Sequence, residues 1–530
     1  MKRTVFFFIL LLIPIPLYCQ FFYSNPSSSD FFNSGVVLGT ERERHFSIRM
    51  EALGRDFSGF VKDQITDLYR NPVFFSKIKN PIFFGEVVRR VPASGWSSLP
   101  VRNLSSGTTS TTGIRLGYGK TFGLLLRGNY LNQPSNFSSN MPGGFYTFDN
   151  TVDTKNREIW TEAQIAMGFP LSEKLSCGVS YTFGMSEILD SYESTSNRCG
   201  NHLSFSNYDS TYDARQSLRE NYQKGKSHIT RVGLLWNKAK GISWDFVATV
   251  ELFSANISIE DNYQHIRDYT HRSINSSIFS STSKNFSLNK GLVSVDIEAT
   301  NLHFDLHFLN SSNEMKTFAV QFGARVSSFS SDDRDDSFRY SESFHESSSD
   351  TSKNILSLSS NSVALPDGFG FQINGGTGWT FQLDDFLLAA AVLGNFRYLN
   401  YEYDVHRQIS DTSTTITPDT TITLKAYQDA RSIHHDHKVT LYRIALPLGV
   451  EYQLIKNLCL RAGWVVQFLG SINKETSIEK SSRVISNRLD YSTATFGIGY
   501  RISDKFIADL LNLGEIGRPR DWNLSLIFSF

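Results

Sequence analysis

The ten residues from Asp521 to Phe530, DWNLSLIFSF, alternate between apolar and polar side chains along nearly their whole length. A period of two places the apolar side chains on one side of a β-strand and the polar ones on the other. Ile527 is the residue that interrupts the pattern. In a soluble sheet the two faces would meet a core and water, whereas in a transmembrane barrel they would meet lipid and the lumen. The pattern therefore restricts the chain to an architecture of two-faced strands.

Four more segments show the same alternation. In residues 159–167, 317–326, 440–453 and 457–470, apolar side chains occupy nearly every second position, with polar or small residues between them. A tilted strand needs about 9–11 residues to cross a bilayer, so these lengths suit a membrane barrel.

Short turns and long polar connections alternate along the chain. Seven short turns each join two alternating segments: Gly119-Lys120, Pro170 to Lys174, Asn237 to Gly241, Asn310 to Glu314, Gln382 to Asp385, Leu454 to Asn457, and Ser503-Asp504. The long connections are rich in Ser, Thr, Asn and Asp: residues 132–156, 190–226, 257–289, 328–366, 402–435 and 471–487. Short periplasmic turns and long external loops are typical of outer-membrane barrels. Seven hairpins, a strand near 81–89 and the terminal strand predict about sixteen strands, or fourteen if a weak segment such as 506–513 is loop.

Composition agrees with a barrel although average hydropathy does not reveal one. The mean hydropathy is -0.25 and 20% of residues are charged, because lipid-facing and lumen-facing side chains cancel within any averaging window. The 42 Phe, 22 Tyr and 7 Trp residues exceed what a core normally uses, and a lipid-facing belt with aromatic girdles would accommodate them.

The amino-terminal residues predict export. Lys2 and Arg3 precede an apolar run from Val5 to Leu17, which is too short to span a bilayer as a helix. We expect residues 1–19 to be a Sec-type signal peptide, with lipidation of Cys19 as the alternative. Without Lys2 and Arg3, 50 of the 52 basic residues remain against 52 acidic ones, so nothing favours nucleic-acid binding.

Three cysteines remain after the signal: Cys177, Cys199 and Cys459. An odd, sparse set does not predict a disulfide framework. Cys177 and Cys199 could pair in an oxidising compartment, but we expect free thiols.

Residues 20–80 lack strong alternation, which predicts a tail leading to a hatch inside the lumen, ahead of a barrel at residues 81–530. The sharpest motif is DQITDLYRNP, from Asp63 to Pro72. Asp63 can cap a short helix that also carries Asp67, and Asn71 before Pro72 ends it. With this motif, the barrel size and the terminal Phe, the chain resembles the outer-membrane long-chain fatty-acid transporter (FadL-like) family. Members of that family place a short helical hatch, an acidic residue and an Asn-Pro-Ala stop ahead of the first strand.

The predicted fold is therefore all-β: a transmembrane antiparallel β-barrel of about 14–16 strands with an N-terminal hatch and long external loops. Polar residues on the predicted inward faces are candidates for lining the lumen, since a charge facing lipid would be costly. They are Glu162, Arg231, His303, Asp305, His307, Arg325, Arg443, Glu451 and Arg461. Ion pairs that hold a narrow barrel shut and a binding site are both compatible with these residues. The spacing of His303, Asp305 and His307 favours a polar lining over a metal site.

A surface enzyme is the least favoured alternative. His434, His435 and His437 sit beside a loop rich in Asp, but no serine or cysteine nucleophile is marked by spacing. We therefore predict neither catalytic residues nor a cofactor.

The expected function is passive uptake or binding of hydrophobic small molecules in the bacterial outer membrane, since no nucleotide-binding motif is present. The alternative is a non-transporting scaffold, adhesin or secretion-associated barrel. Expected partners are outer-membrane lipids, a hydrophobic ligand and, by resemblance to other outer-membrane barrels, the assembly machinery that recognises Phe530.

Overall fold

The computed structural model of the protein describes residues 47–53, 57–78, 82–88, 104–116, 120–142, 146–203, 207–239, 241–273, 280–313, 315–347, 351–416, 422–477, 481–491, 495–503, 505–512 and 522–529. The predicted signal peptide, Cys19 and Phe530 lie outside these residues. Two α-helices come first, α1 (Ile48–Ala52) and α2 (Gln64–Arg70), followed by a 3-10 helix (Pro72–Lys77). Within the described residues, none of the helices is long and apolar enough to cross a membrane.

All remaining elements are strands of one antiparallel sheet. They are β1 (Ile82–Val88), β2 (Leu104–Leu116), β3 (Lys120–Pro142), β4 (Tyr146–Pro170), β5 (Leu175–Leu203), β6 (Asn207–Ala239), β7 (Ile242–Ser273), β8 (Ser280–Asn313), β9 (Lys316–Ser347), β10 (Thr351–Leu383), β11 (Phe386–Ile416), β12 (Ile422–Ile455), β13 (Leu458–Ser477), β14 (Ser481–Tyr491), β15 (Thr495–Ser503), β16 (Phe506–Asn512) and β17 (Trp522–Ser529).

The strand pairings lead around the sheet and back to their starting point. Each strand from β1 to β13 pairs with the next, and β1 pairs with β17 as well as with β2. Strands β14 and β15 both pair with β13, at Val466–Thr476 and Leu458–Gly463 respectively, so they share one position in the ring. The 17 strands thus fill sixteen positions. The predicted antiparallel barrel is confirmed, including β16 where the sequence signal was weak.

The seven predicted short turns each fall between two paired strands, from β2 and β3 to β15 and β16, although Gly119, Glu314 and Asp504 lie outside the described residues. They share one end of the barrel, which we call the short-turn end. The long connections differ from the prediction, because most of their residues continue the strands instead of forming irregular loops. Strands β5 to β12 contain 29 to 34 residues, a length of about 100 Å. Alternation is lost there because both faces of a strand outside the membrane can be polar, while the ladder still pairs the backbone groups.

An apolar belt surrounds the outer face next to the short turns. On β7, Trp244, Phe246, Val250 and Leu252 point outward and are 36 to 53% exposed, and the next outward residue, Ser254, is polar. Comparable exposed apolar residues occur on the other strands, for example Leu126, Val232, Phe304, Phe322, Ile373, Ile444 and Leu524. Trp236, Trp244 and Trp379 lie at the short-turn edge of the belt, where aromatic girdles of membrane barrels are found. The belt is where the barrel contacts hydrocarbon.

Candidate functional site: the interface between hatch and barrel wall

Residues 47–53 and 57–78 lie inside the barrel, and we call them the hatch. Its first helix, α1, contacts β13 and β15 to β17, whereas its 3-10 helix contacts β3 to β6 on another part of the wall. Among the described residues, the hatch forms no β-ladder with the wall. Within the described residues, its contacts with the wall are therefore made by side chains and close packing.

Capping by Asp63 and Asn71 defines the helices of the hatch. The Asp63 carboxylate accepts a hydrogen bond from the Thr66 amide at 2.9 Å, and α2 buries Ile65 and Leu68. Asn71 has an extended backbone, with φ of -142°, as expected of the residue before a proline. Its side chain accepts a hydrogen bond from the Val73 amide at 3.0 Å, which caps the 3-10 helix that begins at Pro72.

One buried carboxylate on the wall holds the end of α2. Asp245 of β7 accepts hydrogen bonds from Arg70 Nη1 and Nη2 at 3.0 and 3.1 Å, and from Asn71 Nδ2 at 3.4 Å. His307 Nδ1 lies 3.0 Å from the other carboxylate oxygen. The Asp245 side chain is 5% exposed, so this charge is stabilised mainly by Arg70 and His307. Asp245 was not among the predicted lumen residues, although it alternates with Trp244 and Phe246.

Asp67 lies at the edge of this Asp245 cluster, 3.7 Å from Arg70 Nε. Burial is the main cause that raises its pKa, to about 7, and the negative charges of Asp63 and Asp245 add to this. Arg70 acts in the opposite direction. The hatch therefore carries a carboxyl group that changes charge near neutral pH.

A second ion-pair cluster holds α1 against the opposite wall. Arg49 donates to both oxygens of Glu451, from Nε at 2.8 Å and from Nη2 at 3.1 Å. Arg461 donates from Nε to the same Glu451 at 2.7 Å and from Nη1 to Asp509 of β16. Thr495 adds a hydrogen bond to the Ala52 carbonyl oxygen at 3.0 Å. In this second cluster, which we call the Arg49 cluster, Glu451 connects the hatch to the wall, as Asp245 does in the Asp245 cluster.

Glycines on the inner wall let the hatch backbone approach closely. Gly168, Gly178 and Gly233 lie directly opposite one another on β4, β5 and β6. A Cβ atom on Gly178 would lie 2.3 Å from the Val73 nitrogen, and one on Gly168 would lie 2.4 Å from the Ser76 nitrogen. A Cβ atom on Gly233 would lie 1.9 Å from Asn71 Oδ1. The 3-10 helix therefore rests on this glycine row with no side chain between, as glycines inside strands often allow.

The predicted lumen residues divide into two groups. His307, Glu451 and Arg461 belong to the two clusters that hold the hatch. The other six contact residues of the wall itself. Arg325 donates to Glu251 at 3.0 Å, Arg443 to Gln467 at 2.9 Å and Arg231 to Thr182 at 3.5 Å. His303 and Asp305 lie 3.2 Å apart, and Glu162 is half-buried beside β5. The sequence showed which face these residues occupy but not their partners, and Glu251 and Asp509 were missed.

Cys177, Cys199 and His434 lie away from these clusters, whereas Cys459 lies two residues before Arg461 on the same inward face of β13. Cys177, Cys199 and Cys459 are free thiols. Cys177 and Cys199 are both on β5, with 22 residue steps between them, or about 70 Å along the strand, so they cannot pair within one chain. His434 is exposed, 3.8 Å from Glu402.

A cavity of about 410 Å³ lies between the hatch and the wall at the short-turn end. Hatch residues of α1 and α2 line one side, and inward residues of β11 to β13, β15 to β17 and β1 line the other. Its apolar lining consists mainly of Ile65, Leu68, Ile82, Phe84, Leu387, Ile507 and Ile527. Ile527, the residue that breaks the alternation of β17, points inward here and packs against the cluster formed by Phe75, Phe84 and their neighbours.

No protein-family model matches the chain, and no curated protein matches it either. Solved structures similar to it include a FadL homologue from Pseudomonas aeruginosa, at 11% identity and a TM-score of 0.36, covering 91% of this chain and 97% of that one. They also include the toluene transporter TbuX from Ralstonia pickettii, at 11% identity and a TM-score of 0.29, covering 92% and 99%. The monoaromatic hydrocarbon channel CymD shows 10% identity and a TM-score of 0.29, covering 91% and 97%. The chain is thus distantly similar to FadL-like barrels.

Proposed function

We propose that the protein is a barrel of the bacterial outer membrane through which small hydrophobic molecules pass without an energy source, and that the hatch is its movable element. The observation that carries this proposal is the attachment of the hatch. The hatch lies in the lumen and is held by two polar clusters, by two apolar clusters that include Leu53 and Phe75, and by packing on glycines, without a β-ladder in the described residues. Because these contacts are made between side chains and not through a continuous ladder, the hatch can leave the wall as one unit, which gives it two arrangements.

The cavity beneath the hatch has an apolar side, which supports a hydrophobic cargo. Its volume of about 410 Å³ lies in the range of small-molecule sites. The proposal assigns no catalytic activity and no cofactor to the chain, and passage follows the concentration gradient of the solute.

A reversible crosslink between hatch and wall tests this function. A Cβ atom on Gly449 would lie 3.3 Å from Leu53 Cβ and 2.6 Å from the Leu53 carbonyl oxygen, so the hatch backbone must shift slightly to accept it. Disulfides bridge Cβ atoms about 3.5–4.5 Å apart. In a background with Cys177, Cys199 and Cys459 replaced by Ser, Leu53→Cys with Gly449→Cys should stop uptake of an apolar dye by vesicles when oxidised. Reduction should restore it. The single Gly449→Cys variant is the control, and uptake that continues after complete crosslinking would refute a moving hatch.

A second candidate function is display of the extended wall outside the membrane. It is favoured by strands of up to 34 residues, which at a tilt near 40° rise about 80 Å, against an apolar band of about 25 Å. Removing matched residues 405–433 of the β11–β12 hairpin, where Val405 pairs with Ile433, separates the two functions. A transporter should keep its uptake after this deletion, whereas an adhesin or scaffold should lose binding to cells or partner proteins.

A further inference from the structure

Cross-strand register brings the apolar wall residues of the cavity side by side. Ile507 of β16 lies directly opposite Ile527 of β17, and Ile527 lies directly opposite Phe84 of β1. This row of three adjacent inward positions faces Ile65 and Leu68 of the hatch across the cavity. Apolar inward residues elsewhere, such as Ala319, Ala389 and Leu125, are buried in clusters with hatch residues. Ile507 and Ile527 are only half-buried and border the cavity, so they offer an apolar ligand surface.

The polar side of the cavity has no net charge. Four cationic residues line it, Arg49, Lys456, Arg461 and Arg501, together with four anionic residues, Asp63, Asp385, Glu451 and Asp509. The buried guanidinium groups are already bound: Arg49 to Glu451 and the Lys62 carbonyl oxygen, and Arg461 to Glu451 and Asp509. An anion held at these buried guanidinium groups would have to displace one of the carboxylates. Lys456 and Arg501 also line the cavity, but they are exposed, so a pair with either of them would be screened by water.

Neutral hydrogen-bonding groups are available at the same side. Gln64, Gln382 and Gln453 line the cavity and are exposed. The amide nitrogens of Gln382 and Gln453 donate to turn carbonyl oxygens at 3.0 and 2.8 Å, which fixes the direction of these side chains and leaves acceptor capacity on their oxygens.

We propose that this cavity binds an uncharged amphiphile, with a compact apolar body against Ile507, Ile527 and Phe84 and one hydrogen-bonding end, such as a hydroxyl, toward the glutamines. The inference rests on the proposed function, for which it names the ligand class and the place where a molecule is held on the short-turn side of the hatch. A carboxylate of the same chain length should bind more weakly, because the buried cations of the polar side, Arg49 and Arg461, are already paired with Glu451 and Asp509.

Cys459 provides a natural reporter because its half-buried thiol lines the cavity. Cys177 is a matched control: it lies near the short-turn end as well, but the adjacent Ser176 and Gly178 are the inward residues, so its side chain points away from the lumen. Two single-cysteine proteins are prepared in lipid nanodiscs, one retaining Cys459 and the other Cys177, with the remaining cysteines changed to Ser. Alkylation by N-ethylmaleimide is followed at pH 8 with octan-1-ol or octanoate.

Octanol at ten times its dissociation constant should slow alkylation of Cys459 about tenfold, since the reagent reaches only the empty fraction. Octanoate should leave the alkylation rate of Cys459 within about twofold of its rate without ligand. Neither compound should change the alkylation rate of Cys177 by more than about twofold. Equal protection by octanoate, or no saturable protection by octanol, would overturn the inference. A parallel loss of reactivity at Cys177 would also overturn it, because the effect would then come from the bilayer.

Variants of the apolar row give an independent measurement. Ile527→Ser and Ile507→Ser, each checked for the heat-resistant mobility of a folded barrel on gels, should weaken protection by octanol about tenfold. Retained protection in both variants would contradict the assigned apolar surface. The dye-uptake assay separates this inference from the proposed function: protein-dependent dye uptake without protection of Cys459 refutes the binding site alone, and protection without protein-dependent dye uptake refutes transport alone.

Discussion

Replacing Asp245 by Asn should release the 3-10 helix and α2 from the wall. Asp245 accepts both hydrogen bonds from Arg70, at 3.0 and 3.1 Å, and it also binds Asn71 and His307. Removing one partner of a buried ion pair costs about 3–5 kcal/mol. The Arg70 side chain is 19% exposed and keeps Asp67 at 3.7 Å, so we expect about 2–3 kcal/mol. Since about 1.4 kcal/mol is a factor of ten, the open population should rise roughly 30- to 150-fold.

Hydrogen exchange of the hatch in nanodiscs measures this change directly, because its amides exchange through opening. Amides of residues 64–78 should exchange roughly 30- to 150-fold faster in Asp245→Asn, and vesicle uptake should rise with them. Glu251→Gln is the matched control, since Glu251 is equally buried and pairs with Arg325 at 3.0 Å, but both residues belong to the wall. The reasoning is refuted if Asp245→Asn leaves hatch exchange unchanged, or if Glu251→Gln accelerates it to the same extent.

Three further outcomes are expected. Gly178→Val should displace the 3-10 helix, since a Cβ atom there would lie 2.3 Å from the Val73 nitrogen. Its hatch should become sensitive to added protease, while Gly85→Ala, with nothing within 4 Å, should behave as the wild type. Asp67 has a pKa raised to about 7, so the docked hatch prefers its protonated form, and docking should weaken as pH rises from about 4 to 7 and then level off. Hydrogen exchange of the hatch should show this trend, and Asp67→Asn should abolish it. Asn71→Ala removes the cap on the Val73 amide and should weaken docking by about 1–2 kcal/mol, seen as faster exchange near residue 73 with an unchanged barrel.

Periodicity was sufficient to predict the wall of the barrel. Alternation in β12, β13 and β17 identified strands and their faces, because one face of each meets hydrocarbon and the other does not. The same rule failed in the long connections, where both faces meet water and a strand leaves no alternating signature. β16 was uncertain because seven residues give few periods to count.

The attachment of the hatch was harder to predict. Asp245 was missed although its alternation with Trp244 and Phe246 is compatible with an inward position, and its height in the lumen and its partner Arg70 depend on how the whole ring closes. The glycine row was visible only as separate glycines on three strands. Cross-strand register brings them together, and a single sequence does not specify register over such long strands.

The seam between β1 and β17 has a consequence for biogenesis. The hatch directly precedes β1, and β1 pairs with the strand that is synthesised last in the sheet. Sealing this seam therefore encloses the preceding segment, so the hatch has to be in place while the cylinder is still open along one side. Substitutions that hinder hatch docking should then delay maturation of the whole protein as well as change its permeability, since a late, long-range closure is the slow step of such a topology.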